Sequence, residues 1–95
     1  MDVKVQSIHF DADKKLLDFI EQRVTRLTQF HDRIIGAEVF LRLEKDHENG
    51  NKVAEIKLAV PGKDLFAKKQ CKSFEEATDQ VVEALRRQIR KAKGK

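Results

Sequence analysis

The stretch "AEVFLRLEKDHENGNKVAEIKLAV", residues 37–60, decides the fold. Ala37, Val39, Leu41 and Leu43 alternate with Glu38, Arg42 and Glu44, the period-two pattern of a strand with one buried face. Ala54, Ile56, Leu58 and Val60 repeat the pattern after Asn49-Gly50. Asn-Gly is the strongest short hairpin signal, because a type I′ turn needs positive φ at both central residues. Residues 37–48 and 52–60 are therefore expected to be antiparallel strands two and three.

Working outward, Pro61-Gly62 punctuates the chain before "DLFAKKQCK", residues 64–72, which reads as strand four. Leu65, Ala67 and Cys71 share one of its faces, and Lys69 falls in the same register; either a bulge re-aims it or it lies at the sheet margin. Near the start, "DVKVQS" alternates Val3 and Val5 with Lys4 and Gln6 and gives strand one. Asp13 is the expected N-cap of helix one, in which Leu16, Leu17, Ile20, Val24, Leu27 and Phe30 recur at helical spacing. Ser73 and Glu76 form a capping-box signature opening helix two, residues 74–93, with a stripe of Phe74, Ala77, Val81, Val82, Leu85 and Ile89.

The order is βαβββα and the class α+β. A strand, helix, strand start favours a right-handed crossover with strands one and two parallel, and the remaining pairs antiparallel. Two helices most simply cover one face of this four-stranded mixed sheet. The other face, with Glu38, Arg42, Glu44, Glu55 and Lys57, is left to solvent.

Ninety-five residues with 40% hydrophobic content fit a single domain, residues 1–95. The opening "MDVKVQSIHF" has no basic region followed by an apolar run, so the expected location is the cytosol. Cys71 is alone, and His9, His31 and His47 lack ligand spacing, so neither a metal nor another cofactor is expected. No glycine-rich loop joins a strand to a helix, no nucleophile signature accompanies a Ser or Cys, and Glu75-Glu76 complements a helix dipole. An enzyme acting on a small-molecule substrate is not expected, and neither is a membrane partner.

The charge is distributed unevenly. After Glu83 there is no acid, while Arg86, Arg87, Arg90, Lys91, Lys93 and Lys95 follow. The helix macrodipole accounts for about two or three such charges, since its influence fades within a turn. On helix one, Lys15, Arg23 and Arg26 fall within or beside the apolar arc, away from Asp18 and Glu21. Arg23 also suits a snorkelling role over the core. Helices lying side by side would merge these basic edges into one strip, extended by Arg33, Lys68 and Lys72, which reads as a polyanion-binding surface. Phe40 and Phe66 fall on the polar faces of their strands, where they could stack bases or support a protein contact.

The segments "RVTRLTQFHDRIIGAEVFLRLEK", "NKVAEIKLAVPGKDLFAK" and "SFEEATDQVVEALRRQIRKAK" resemble the ribosome hibernation promoting factor family, which includes ribosome-associated inhibitor A. The resemblance runs from Val3 to Lys93, and the length is similar to the family's short form. It implies a stress or stationary-phase protein that binds the small ribosomal subunit through rRNA near the decoding region, blocks initiation and protects idle ribosomes. The implied rRNA-binding residues are Arg23, Arg26 and Arg33, then Arg86, Arg87, Arg90 and Lys91. A separate ribosome-dimerising protein is left open as a further partner. Two departures stand out: "AKKQCKSF" is basic where relatives run acidic, and "DADKK" replaces the Thr-Pro with which relatives often open helix one.

Two other readings remain at this point. Two helices on a small antiparallel sheet also resemble a double-stranded-RNA-binding module. A protein-interaction module would use the open sheet face with Phe40 and Phe66.

Overall fold

A computed structural model describes residues 1–45, Glu48 and residues 50–93. His47, Asn49 and Lys95, each used in the reading above, lie outside the described residues. The elements are β1 (Asp2–Ser7), α1 (Lys14–Thr25), a 3-10 turn (Arg26–Gln29), β2 (Gly36–Leu43), β3 (Lys52–Ala59), β4 (Leu65–Cys71) and α2 (Phe74–Lys93). The sheet order is β1-β2-β3-β4. β1 runs parallel to β2, and the other two pairs are antiparallel, as the sequence pattern requires.

The alternation works as read. Val39, Leu41, Ala54, Ile56 and Leu58 are fully or almost fully buried, and they meet Ile20, Val24 and Leu27 from the first helical region and Ala77, Val81, Leu85 and Ile89 from α2. Asp13 caps α1 by accepting from the Leu16 N–H at 2.8 Å. Ser73 Oγ accepts from the Glu76 N–H at 3.1 Å, which holds the first turn of α2. Phe10, in the loop leading to α1, stacks on Phe74 with ring centroids 5.0 Å apart, tying that loop to the start of α2.

Three local outcomes refine the sequence reading. Helix one tightens into the 3-10 turn after Thr25, which still buries Leu27 and leaves Phe30 half-buried. The β2–β3 register pairs Leu43 with Lys52, and the Glu44 N–H reaches the Asn51 carbonyl at 2.8 Å. The connection thus spans residues 44–51 instead of a two-residue turn centred on Asn49-Gly50, and Leu43, at the strand end, is left exposed. Lys69 pairs with Ala54 in an unbroken ladder, so no bulge re-aims it; β4 is the edge strand, and Lys69 reaches solvent at that margin.

Gly50 has φ +94°, and a Cβ there would lie 2.4 Å from the Cys71 carbonyl oxygen. The Gln70 amide donates to the Gly50 carbonyl at 2.8 Å, so the connection folds back against the end of β4. Val53 sits opposite the core by register, between Arg42 and Gln70, yet is fully buried. Farther along this face Arg42 pairs with Glu55, and Lys57 with Asp64 at 3.5 Å. Phe66 is 51% exposed and Phe40 half-buried. Glu55 and Lys57 of β3 stand between them, so the two rings do not form an adjacent pair.

Two substitutions test this packing. Gly50→Ala forces a positive φ and a backbone clash, and is expected to cost roughly 2 kcal/mol or more in urea denaturation. Thr78 is fully buried in α2 and its hydroxyl has no hydrogen-bond partner among the described residues. Thr78→Val, nearly isosteric, is expected to gain about 1 kcal/mol, raising the melting midpoint by roughly 4–8 °C in calorimetry.

Candidate nucleic-acid interface

The candidate surface begins where α1 and the following turn lie against α2. Helical spacing puts Arg23 and Arg26 on the edge of the first helical region, and the crossover from β1 to β2 sets that edge beside α2. A shallow groove of about 390 Å³ results, lined by Arg23, Arg26, Phe30, Asp79, Val82, Glu83 and Arg86. The expected merging of basic edges therefore occurs at Arg23, Arg26 and Arg86.

Two of these arginines are held in place. The Arg23 Nε donates to Asp79 Oδ1 at 2.9 Å, and its guanidinium lies over the Phe19 ring, 4.4 Å from the centroid. Arg23 side-chain exposure is 28%, so the side chain packs against its neighbours while part of it still faces solvent. The Arg86 guanidinium grips Glu83 through two hydrogen bonds, one from Nε at 3.0 Å, and stands 5.7 Å from the Phe30 centroid. The hydrogen bonds from Arg86 hold the Glu83 carboxyl below the usual glutamate range, helped by the positive charges of Arg86, Arg87 and Arg90, while partial desolvation opposes them. Arg86 is raised in turn, first by its hydrogen bonds to Glu83.

The other candidates are free of such partners among the described residues. Arg26, Arg33, Arg87, Arg90 and Lys91 are exposed and form no described ion pair. Arg33 sits in the loop before β2, where its N–H is bonded to His31 Nδ1 at 3.0 Å. On α2, Arg86 faces the first helical region, whereas Gln88 reaches the opposite way, donating to the Phe66 carbonyl on β4 at 2.8 Å. At about 100° per residue, Arg90 then falls nearest Arg86, Arg87 on the outer surface and Lys91 toward the β4 flank. The strip is thus a band that wraps α2, and Arg33 stands apart from the groove.

The Glu83–Arg86 pair was legible as an i,i+3 spacing. The Arg23–Asp79 pair, 56 residues apart, had no local signal.

The sequence profile of the family described as Sigma 54 modulation protein / S30EA ribosomal protein matches residues 3–95. This chain belongs to that family. Among its relatives, the ribosome hibernation promoting factor of Azotobacter vinelandii is 28% identical over 95 residues, covering 100% of this chain and 85% of that one. The factor of the same name from Pseudomonas putida is 25% identical over 95 residues, covering 100% and 89%. A solved ribosomal subunit interface protein from Coxiella burnetii superposes with a TM-score of 0.88 over 100% of both chains at 19% identity, so the two chains share this fold.

The low-lying Glu83 carboxyl has a consequence for stability. Because its folded-state pKa is depressed, the Glu83–Arg86 contribution is present above the unfolded-state value and lost as pH falls through the folded one. Carboxyl-detected NMR is expected to show Glu83 titrating below the ordinary glutamate range, and the stability gap between the native chain and Glu83→Gln is expected to close in acid.

Proposed function

We propose that this chain is a ribosome hibernation factor. It binds the small ribosomal subunit through rRNA, fills space that mRNA and tRNA need, and so inhibits initiation under stress or in stationary phase. The observation that carries this reading is the match of residues 3–95 to the S30EA family, whose relatives named ribosome hibernation promoting factor align along the whole chain. On this reading residues 1–95 are one ribosome-binding unit that works in the cytoplasm.

The mechanism is competitive occlusion, with no bond made or broken. Arg26, Arg33, Arg87, Arg90 and Lys91 neutralise phosphates of folded rRNA, and Arg23 and Arg86 offer groove contacts. The planar guanidinium fork suits phosphate oxygens, and Lys acts as a point charge. Because phosphate contacts carry little sequence information, the rigid body selects by shape. With about five to seven phosphates engaged, log K falls with log salt at a slope of roughly −4 to −6.

Co-sedimentation with separated ribosomal subunits across a salt series tests the proposal. The native chain is expected to bind the small subunit saturably. An Arg87→Ala, Arg90→Ala, Lys91→Ala variant, checked for folding by circular dichroism, is expected to bind on the order of 100-fold more weakly with a slope shallower by about 2–3. Undiminished binding by the variant moves the contact off α2. No subunit binding by the native chain rejects the hibernation reading, and equal affinity for free duplex RNA favours a general double-stranded-RNA binder.

A further inference from the structure

On a chain with a net charge of +4, two of the three arginines that line the interhelical groove, Arg23 and Arg86, are each tied to a carboxylate, and Arg26 at the same groove has no described ion pair. Both carboxylates come from α2, at Asp79 and Glu83, one helical turn apart. Both line the groove alongside the guanidiniums. Each arginine also lies near an aromatic ring, Phe19 under Arg23 and the groove-lining Phe30 beside Arg86. They are thus positioned for a ligand but neutralised at rest, whereas Arg26, Arg33, Arg87, Arg90 and Lys91 form no described ion pair.

We infer that Asp79 and Glu83 are specificity-determining residues: they bar the groove to RNA in general and yield it only to a phosphate held rigidly against Arg23 and Arg86. The inference rests on the rRNA-binding reading and assigns its selectivity to two acidic side chains. A phosphate entering the groove must compete with a carboxylate already hydrogen-bonded to the same guanidinium, and must sit beside that anion once there. A flexible RNA that also has to order its own backbone gains too little and binds through the unpaired cations alone. A folded RNA presents the phosphate at high effective concentration on a surface that matches the rest of the protein, so the exchange is favourable there. The carboxylates thus subtract more from stray binding than from fitted binding. The lowered Glu83 carboxyl pKa agrees with this, since it keeps the competing charge in place.

The test compares the native chain with Asp79→Asn, Glu83→Gln and the double variant. Asn retains the oxygen type that accepts from Arg23, and Gln retains one of the two acceptors that hold Arg86, so each guanidinium keeps an anchor while the competing charge goes; the single variants serve if the double variant folds poorly by circular dichroism. Binding is measured to small ribosomal subunits and to an unstructured RNA of unrelated sequence, each across a salt series.

For the unrelated RNA the double variant is expected to gain about tenfold or more in affinity, with a salt slope steeper by about 1 to 2 as two further phosphates engage. For the subunit the slope is expected to stay unchanged, so the affinity ratio between the two ligands falls about tenfold. Equal gains on both ligands, or no gain and no change in slope on the unrelated RNA, overturn the inference while leaving subunit binding intact. Failure of the native chain to bind the subunit at all is a separate outcome, which removes the function on which the inference is built.

Discussion

The sheet has one apolar face, and two helices must cover it. Since β1 and β2 are parallel, the connection between them has to cross over the sheet, and α1 is that crossing. The chain then turns back and forth through β3 and β4, so α2 returns over the same face. Ile20, Val24 and Leu27 from the first helical region and Val81, Leu85 and Ile89 from α2 share a single core against Val39, Leu41, Ile56 and Leu58. Side-by-side helices are the price of that shared core, and their facing edges have to carry groups that tolerate proximity. Everything distinctive about the surface follows from how those edges are charged.

Arg23 and Arg86 line one groove from opposite sides of the seam, and bare guanidiniums sharing it would repel. Asp79 and Glu83 relieve that repulsion, and Phe19 and Phe30 give the cations a polarisable support. These pairs are partly exposed, so solvent screens them and their worth to folding is modest. Their larger effect is on the field. Neutralising the seam shifts the uncompensated positive charge outward, to Arg26 on one side and to Arg87, Arg90 and Lys91 around α2. A ligand approaching from solvent meets that outer band before it meets the groove.

Much of this architecture could be read before the structure, and the part that could not has a common cause. Strand alternation and helix stripes are set by residues a few positions apart, so β2, β3, α1 and α2 were visible with their buried faces, and Asp13 and Ser73 marked the helix starts. Asn49-Gly50 gave the antiparallel pairing but the wrong loop length, because the register is set by which apolar residues must lie under the helices. Lys69 was ambiguous because its exposure depends on whether another strand lies beyond β4. Arg23–Asp79 was invisible because it depends on where two helices meet. Of the candidate site residues, the charge pattern selected the cations and offered Glu83 as a local partner, but could not show that Arg23 was already paired across the helices.

That last distinction changes what a basic surface means. A count of lysines and arginines treats each as an equal contributor to polyanion binding, yet a guanidinium hydrogen-bonded to a carboxylate offers little net charge to a phosphate at a distance. It still offers geometry, because its fork is held in one orientation and loses little rotational freedom when a new acceptor arrives. The outer, unpaired cations supply long-range attraction that salt screens and that any nucleic acid satisfies. The paired arginines act only at contact, where an acceptor must replace a carboxylate with suitable geometry. On the rRNA-binding reading proposed above, attraction and discrimination would therefore be carried by different residues of the same strip, with the division between them drawn by two acids on the helix that also bears most of the bases.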